Sequence, residues 1–356
     1  KTSKGKRGRK SEYADPELIK SLKTLWLRTN QLCGKRLKPA IPLWLEHYEK
    51  HHGKLSDSCR EKLLKISPAS IDRVLKPIKA QYQRKSNTGT KPGTLLKNQI
   101  PIRTSTDDIT RPGYLEADTV AHCGGSMSGD FIWSITYTDI VSTWTVTRAV
   151  WNKGAVGILE QTRDVEKRLP FDIVGFDCDN GSEFLNHHLT RYFLERKQPV
   201  GFTRSRPYHK NDNAHVEQKN WTHVRELLGY DRLDNPAMLK ELNALYRDWE
   251  QLNNFFKPSL KLKSKIRVKS QYKKKYDEPA TPFERLKASN ALNESKKAIL
   301  ENEYNSLDPF VLSNRIQRRL RKIEKMKKTG EVTAVGAPGG PNCSHPLTSP
   351  DLAGNH

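Results

Sequence analysis

Apolar positions recur at helical spacing through the first part of the chain. Leu18, Ile19, Leu22, Leu25 and Trp26 form one stripe behind Pro16-Glu17, a helix-opening pair. Further apolar pieces run from Ile41 to Tyr48 and from Ser56 to Ile66. Ser67-Pro68 then supplies an N-cap and a first-turn proline, and predicts a helix from Ala69 to Ala80 that buries Ile71, Val74, Leu75 and Ile78. From Tyr114 the period changes from helical to alternating. Tyr114 to His122 predicts a strand. Phe131, Trp133, Ile135 and Tyr137 predict a second, and Trp144 to Val150 a third. A helix from Gly154 to Leu169 follows, with Val156, Ile158, Leu159 and Val165 inward. Phe171 to Phe176 reads as a short buried strand. A helix over 183–197, a strand from Val200 to Thr203 and a helix opening near Asp212 complete the order β-β-β-α-β-α-β-α. This is an α/β sheet whose first strands are antiparallel.

The same pattern divides the chain. Residues 1–15 form a basic arm and 16–83 an all-α region of short helices. A short helix, a brief turn and a capped basic helix there match a helix-turn-helix, with Arg73, Lys76 and Lys79 facing DNA; the alternative is an ordinary helical bundle. Residues 84–112 cannot build a core and predict a basic linker. Residues 113–256 hold the α/β core. Residues 257–282 form a basic C-terminal module, either a small β unit or an extended arm. Residues 283–329 predict basic helices, and 330–356 a disordered tail.

Charge narrows the partners. The chain has 356 residues and a formal net charge of +23. Such a chain favours a polyanion, with nucleic acid first. Between Lys257 and Lys275 stand nine Lys/Arg and no acid. Lys261, Lys263, Lys265, Arg267 and Lys269 are DNA-contact candidates. No apolar run is long enough to span a bilayer. The five cysteines are an odd number without CxxC spacing, which predicts a reducing, cytoplasmic setting. His47 and His51 lie at i, i+4, but no cysteine pair completes a zinc set.

Three acids stand out. Asp118 lies inside an apolar strand, two residues from Glu116 and on the same face. Asp179 follows a buried strand, where ligand sites of α/β sheets lie, with Asp177 as competitor. Glu217 heads a stripe with Trp221, Val224 and Leu228, which turns it toward the sheet. Three inward carboxylates without a histidine or cysteine cluster suit a hard cation, Mg²⁺ or Mn²⁺. Two such ions can drive an in-line phosphoryl transfer.

Asp179-Asn180-Gly181-Ser182-Glu183-Phe184 resembles the D-N-G-x-E-F element of the DDE integrase/transposase superfamily, and Asp212-Asn213-Ala214-His215-Val216-Glu217 resembles its D-N-A-x-x-E element. The likeness covers about residues 113–257 and is closest to bacterial insertion-sequence transposases. It implies an RNase H-like core with a mixed five-stranded sheet flanked by helices. It implies Asp118, Asp179 and Glu217 as catalytic metal ligands for two ions. It further implies a homodimer or higher oligomer that holds double-stranded element ends, cleaves them and joins their 3′-hydroxyls to target DNA at the bacterial nucleoid. The helix-turn-helix would bind the terminal repeats. Arg204, Arg206, His209, Lys210 and Lys219 flank Glu217 as candidate DNA contacts. The zinc module of retroviral integrases has no counterpart here. Alternatives are a structure-selective RNase H-like nuclease and a DNA-binding regulator with an inactive core.

Overall fold

Leu18, Leu22, Leu25 and Trp26 are buried, and their stripe makes α1 (Pro16–Arg28), capped by Asp15, whose carboxylate accepts from the Glu17 backbone N–H. The computed structural model describes residues 12–82, 109–178, 181, 183–204, 218–268, 271–289 and 291–329. The arm up to residue 11, nearly all of the linker and the tail from 330 lie outside them.

α2 (Gly34–His52) is longer than the apolar piece suggests and holds Pro39 and Pro42 inside it. An interior proline costs a helix about 3 kcal/mol. Leu37, Ile41, Trp44, Leu45 and Tyr48 are all buried on one face, and each contributes about 1.5–3 kcal/mol, which outweighs the two prolines. α3 (Asp57–Lys65) and α4 (Pro68–Lys79) follow, α4 capped by Ser67 as expected and α3 by Ser56. Gly34 lets α2 approach α4: a Cβ there would stand 2.2 Å from the Pro68 carbonyl oxygen. The Gly34 N–H donates to Asp72 Oδ1 at 3.0 Å.

The core is a five-stranded sheet in the order β3-β2-β1-β4-β5, with β1 (Tyr114–Ala121), β2 (Ile132–Asp139) and β3 (Thr145–Trp151) antiparallel. β4 (Gly175–Cys178) and β5 (Gly201–Arg204) run parallel to β1. Helices cover both faces. This mixed sheet is an RNase H-like fold. α5 (Ala155–Arg168) and α6 (His187–Leu194) serve one face, where Leu115, Ile135, Tyr137, Val146, Phe176 and Phe202 meet Phe184 and Phe193. Val156 was expected inward but is exposed; Ile158, Thr162 and Val165 face the sheet. β4 starts later than its apolar run. The Tyr114 ring lies across Gly175, where a Cβ would meet it at 2.2 Å, so pairing begins at that glycine.

The other face is polar and just as buried. It carries Glu116, Ser134, Thr136, Thr138, Thr145, Thr147 and Asp177. α7 (residues 218–228) and α8 (Met238–Phe256) cover it. β3 is an edge strand, and α8 caps that edge with side-chain amides. Asn254 exchanges hydrogen bonds with the N–H and C=O of Thr145 at 3.0 Å each, and Asn243 with those of Ala149 at 2.9 and 3.0 Å. These amides pair backbone groups that another chain could otherwise engage.

The basic C-terminal module is a β hairpin, β6 (Leu262–Val268) with β7 (Gln271–Tyr276). Three helices follow: α9 (Pro282–Ala288), α10 (Glu294–Ser306) and α11 (Pro309–Thr329). α11 is basic, but much of its charge is used internally. Arg315 and Arg319 pair with Asp248, and Arg319 and Lys322 with Glu241, while Phe310, Ile316 and Ile323 are buried. The helical block joins this unit. Trp44 Nε1 donates to the Phe256 carbonyl at 2.9 Å. His47 Nδ1 and His51 Nε2 lie 3.4 and 2.9 Å from Asp308 Oδ2 at the start of α11, which is what their i, i+4 spacing serves.

Candidate active site

Asp118 sits on the central strand β1, on the polar face and half-buried. Its Oδ1 accepts from the Thr119 N–H at 2.7 Å. Its Oδ2 accepts from Asn220 Nδ2 at 2.7 Å. A neutral amide on a carboxylate makes one of the stronger hydrogen bonds in proteins. It fixes the carboxylate's direction. Thr136, opposite Asp118 in the β1–β2 ladder, is fully buried.

β4 brings its C-terminal end alongside. Cys178 pairs with Ala117, the residue before Asp118, and Asp177 pairs with Glu116. Asp177, the competitor for the metal role, is 1% exposed and accepts from the Thr203 hydroxyl on β5. Asp179 and Glu217 lie outside the described residues, so the geometry of the expected triad is given at Asp118 alone. Among the described residues no three His, Cys, Asp or Glu side chains gather as a metal site.

Of the D-N-G-S-E-F stretch after β4, Gly181, Glu183 and Phe184 are described. A Cβ on Gly181 would come within 2.6 Å of the Glu183 carboxylate, which would have to shift to admit it. Glu183 is 5% exposed. It accepts from the Thr119 hydroxyl at 2.9 Å and pairs with Lys153 at 3.3 Å. It therefore holds the residue next to Asp118. Phe184 is fully buried beside Phe176. Asn186 caps α6 and also donates to the Glu183 carbonyl at 2.6 Å. Sequence reasoning passed over Glu183, Thr119 and Asn220. The available signal was position: Asn220 stands three residues after Glu217 in the sequence.

The expected stripe along α7 holds in part. Val224 and Leu228 are buried, but Trp221 is 46% exposed. Trp221–Arg225 is a π-helical segment. A π turn holds an extra residue, so side chains before it are rotated relative to those after it, and such segments recur at functional sites. The i, i+3, i+7 stripe therefore does not carry through from Trp221 to Leu228, and Glu217 at its head lies outside the described residues.

The expected DNA contacts fall in different settings. Arg73 and Lys76 are exposed on α4, while Lys79 pairs with Asp72 at 2.6 Å. Arg204 is buried at the end of β5. Lys219 turns to a cavity shared with Arg36 and Lys257. Lys261 donates to the Val141 carbonyl at 3.3 Å, and burial lowers its pKa. Lys263 is exposed, 3.9 Å from Asp277. Lys265 and Arg267 belong to β6. Arg206, His209, Lys210 and Lys269 lie outside the described residues.

No family model matches the chain. It is 37% identical over 273 residues to the uncharacterized protein y4rM of Sinorhizobium fredii, an alignment that covers 76% of this chain and 77% of that protein. The chain belongs to the y4rM family. That name assigns no activity to its members. Among solved structures, the catalytic core domain of BIV integrase covers 49% of this chain and 94% of its own, at 13% identity and a TM-score of 0.32. No described helix is long and apolar enough to cross a membrane.

Proposed function

We propose that the chain is a DDE-type DNA transposase, which cleaves the ends of its element and joins them to target DNA by phosphoryl transfer. One observation carries the reading. Asp118 is a half-buried carboxylate on the central strand of an RNase H-like sheet, oriented by Asn220 and flanked by the end of β4. The sequence continues from that end directly into Asp179, and Glu217 directly precedes the first described residue of α7. The oxygen chemistry of Asp118 fits a hard divalent cation.

Asp118, Asp179 and Glu217 would hold the metal. Bound as a pair, Mg²⁺ or Mn²⁺ ions would supply charge neutralisation and activation of water or a 3′-hydroxyl. The chain's own residues do the rest. Asn220 and Thr119 N–H direct the Asp118 carboxylate. Glu183 and Lys153 brace β1 from its opposite face. Asp177 stays in the sheet, held by Thr203. Arg73 and Lys76 on α4 and Lys263 on the hairpin offer exposed cations to phosphates. The net charge of +23 supports double-stranded DNA as partner. Two element ends are held by at least a dimer in this reading.

The test is Mg²⁺-dependent nicking of plasmid DNA by the whole chain, with Asp118→Asn as control. Nicking lost in that variant, while DNA affinity stays within about threefold, is the expected result. Nicking that persists in Asp118→Asn removes the reading.

A further inference from the structure

A second charged site lies where the helical block meets the core. A cavity of about 140 Å³ is lined by Arg36, Lys219, His223, Glu226, Asn253 and Lys257, among others. The walls come from the α1–α2 connection, from α7 and from the end of α8. Asn30 and Gln31 at its rim hold positive φ angles of 59° and 62°, so the chain bends sharply there. Three cationic side chains face one carboxylate, Glu226.

Lys257 is buried and Arg36 and Lys219 are half-buried, and among the described residues no carboxylate forms an ion pair with any of the three. Among the described residues, neither the Lys219 nor the Lys257 ammonium has a hydrogen bond or an ion pair. Lys257 is 4% exposed and its ammonium lies 4.2 Å from the Trp249 ring centroid. Arg36 Nε donates to a neutral group, the Pro258 carbonyl, at 2.7 Å. His223 is 3% exposed, with Nδ1 3.0 Å from the Thr222 hydroxyl and Nε2 without a partner. Buried polar atoms nearly always find hydrogen bonds. An uncompensated buried cation costs several kcal/mol. Burial, and then the charge of Arg36, push the Lys257 pKa down to about 7, with Glu226 opposing. The cavity has room for a small tetrahedral ion and water.

We propose that this cavity binds one phosphate-type oxyanion, held by the Lys219 and Lys257 ammonium groups, the Arg36 guanidinium and His223 Nε2–H. The ion supplies the missing counter-charge and acceptors together. It ties the helical block to α7 and α8. The inference rests on the cavity and not on the transposase reading. Its source is either inorganic phosphate or a phosphate group of DNA, and both present the same oxyanion.

The experiment is thermal unfolding of the full chain titrated with inorganic phosphate, against sodium chloride at equal ionic strength. The expected result is a saturable, phosphate-specific rise in Tm. Lys257→Met keeps length and bulk but removes a charge. It is expected to fold, to be no less stable without phosphate, and to weaken phosphate binding by roughly tenfold or more. Isothermal titration of the wild type with phosphate stands independently if the variant does not fold. A short duplex that displaces phosphate in competition identifies DNA as the source; phosphate binding unchanged by the duplex identifies the free ion. No saturable phosphate binding to the wild type, or equal binding by Lys257→Met, overturns the proposal.

Discussion

Replacing Asn220 with alanine removes the donor 2.7 Å from Asp118 Oδ2 and leaves the rest of α7 intact. A hydrogen bond to a charged group contributes about 1.5–3 kcal/mol. If that whole energy is lost from the transition state, the rate falls roughly 10- to 150-fold. The same replacement loosens a carboxylate assigned to metal, so the Mg²⁺ concentration for half-maximal rate rises as well. The assay is the initial rate of nicking of supercoiled plasmid across a Mg²⁺ titration, with DNA affinity measured separately by gel shift. Asn220→Ala should lower the rate and raise the Mg²⁺ requirement while DNA affinity stays within about twofold. A rate within about twofold of wild type would show that the Asp118 carboxylate is not positioned by Asn220. A parallel fall in rate and DNA affinity would place Asn220 against DNA instead.

Asn254→Ala strips both partners from the buried backbone of Thr145. At about 1–3 kcal/mol per orphaned group, urea denaturation should show a loss of about 2–6 kcal/mol, larger than for the half-buried Asn243→Ala. Asp308 sits between His47, His51 and the first turn of α11. Burial alone would raise its pKa, but hydrogen bonds from His51 and the Val311 N–H and the histidine charges bring it below the usual value. Its stabilisation is present above an unfolded pKa of about 3.9 and is lost as pH falls through the lower folded value. The Tm gap between wild type and Asp308→Asn should therefore be open near pH 5 and close below about pH 4, and a gap unchanged at acid pH would contradict the assignment. Gly181→Ala makes the Glu183 carboxylate shift away from its place beside Thr119; nicking should fall by roughly tenfold if that brace positions Asp118, with DNA affinity retained, and an unchanged rate would remove Glu183 as a brace. DNA affinity should drop with salt at a slope near −0.9 per phosphate contacted, and a flat salt response would remove the basic surfaces as phosphate binders.

Much of the fold was legible because one face of the sheet obeys simple alternation. Trp133, Ile135 and Tyr137 gave β2, and Val146 with its neighbours gave β3. The intervening Ser134, Thr136 and Thr138 look solvent-facing in sequence, yet all three are fully buried. Their burial depends on α7 and α8, which arrive some hundred residues later in the chain. The two prolines hid the length of α2, because local propensity cannot weigh five buried side chains against them. α11 read as a basic surface because Asp248 and Glu241, which take up its arginines and Lys322, lie on another helix. At the site, Asp118 was legible as an acid inside an apolar strand. Asn220 and Glu183 were not, since their roles exist through contacts with Asp118 and Thr119 across 102 and 64 positions. The exposure of Trp221 could not be read either, because a π turn leaves no mark in apolar spacing.

The most direct measurement is strand transfer. The full chain is mixed with Mg²⁺, supercoiled plasmid and a duplex bearing the end of its own element, and joined product is sought. The account predicts joined product for the wild type and none for Asp118→Asn, Asp179→Asn or Glu217→Gln, with DNA binding kept in all three. Cleavage without joining would place the chain with RNase H-like nucleases, and tight end binding without any chemistry would contradict the enzyme altogether.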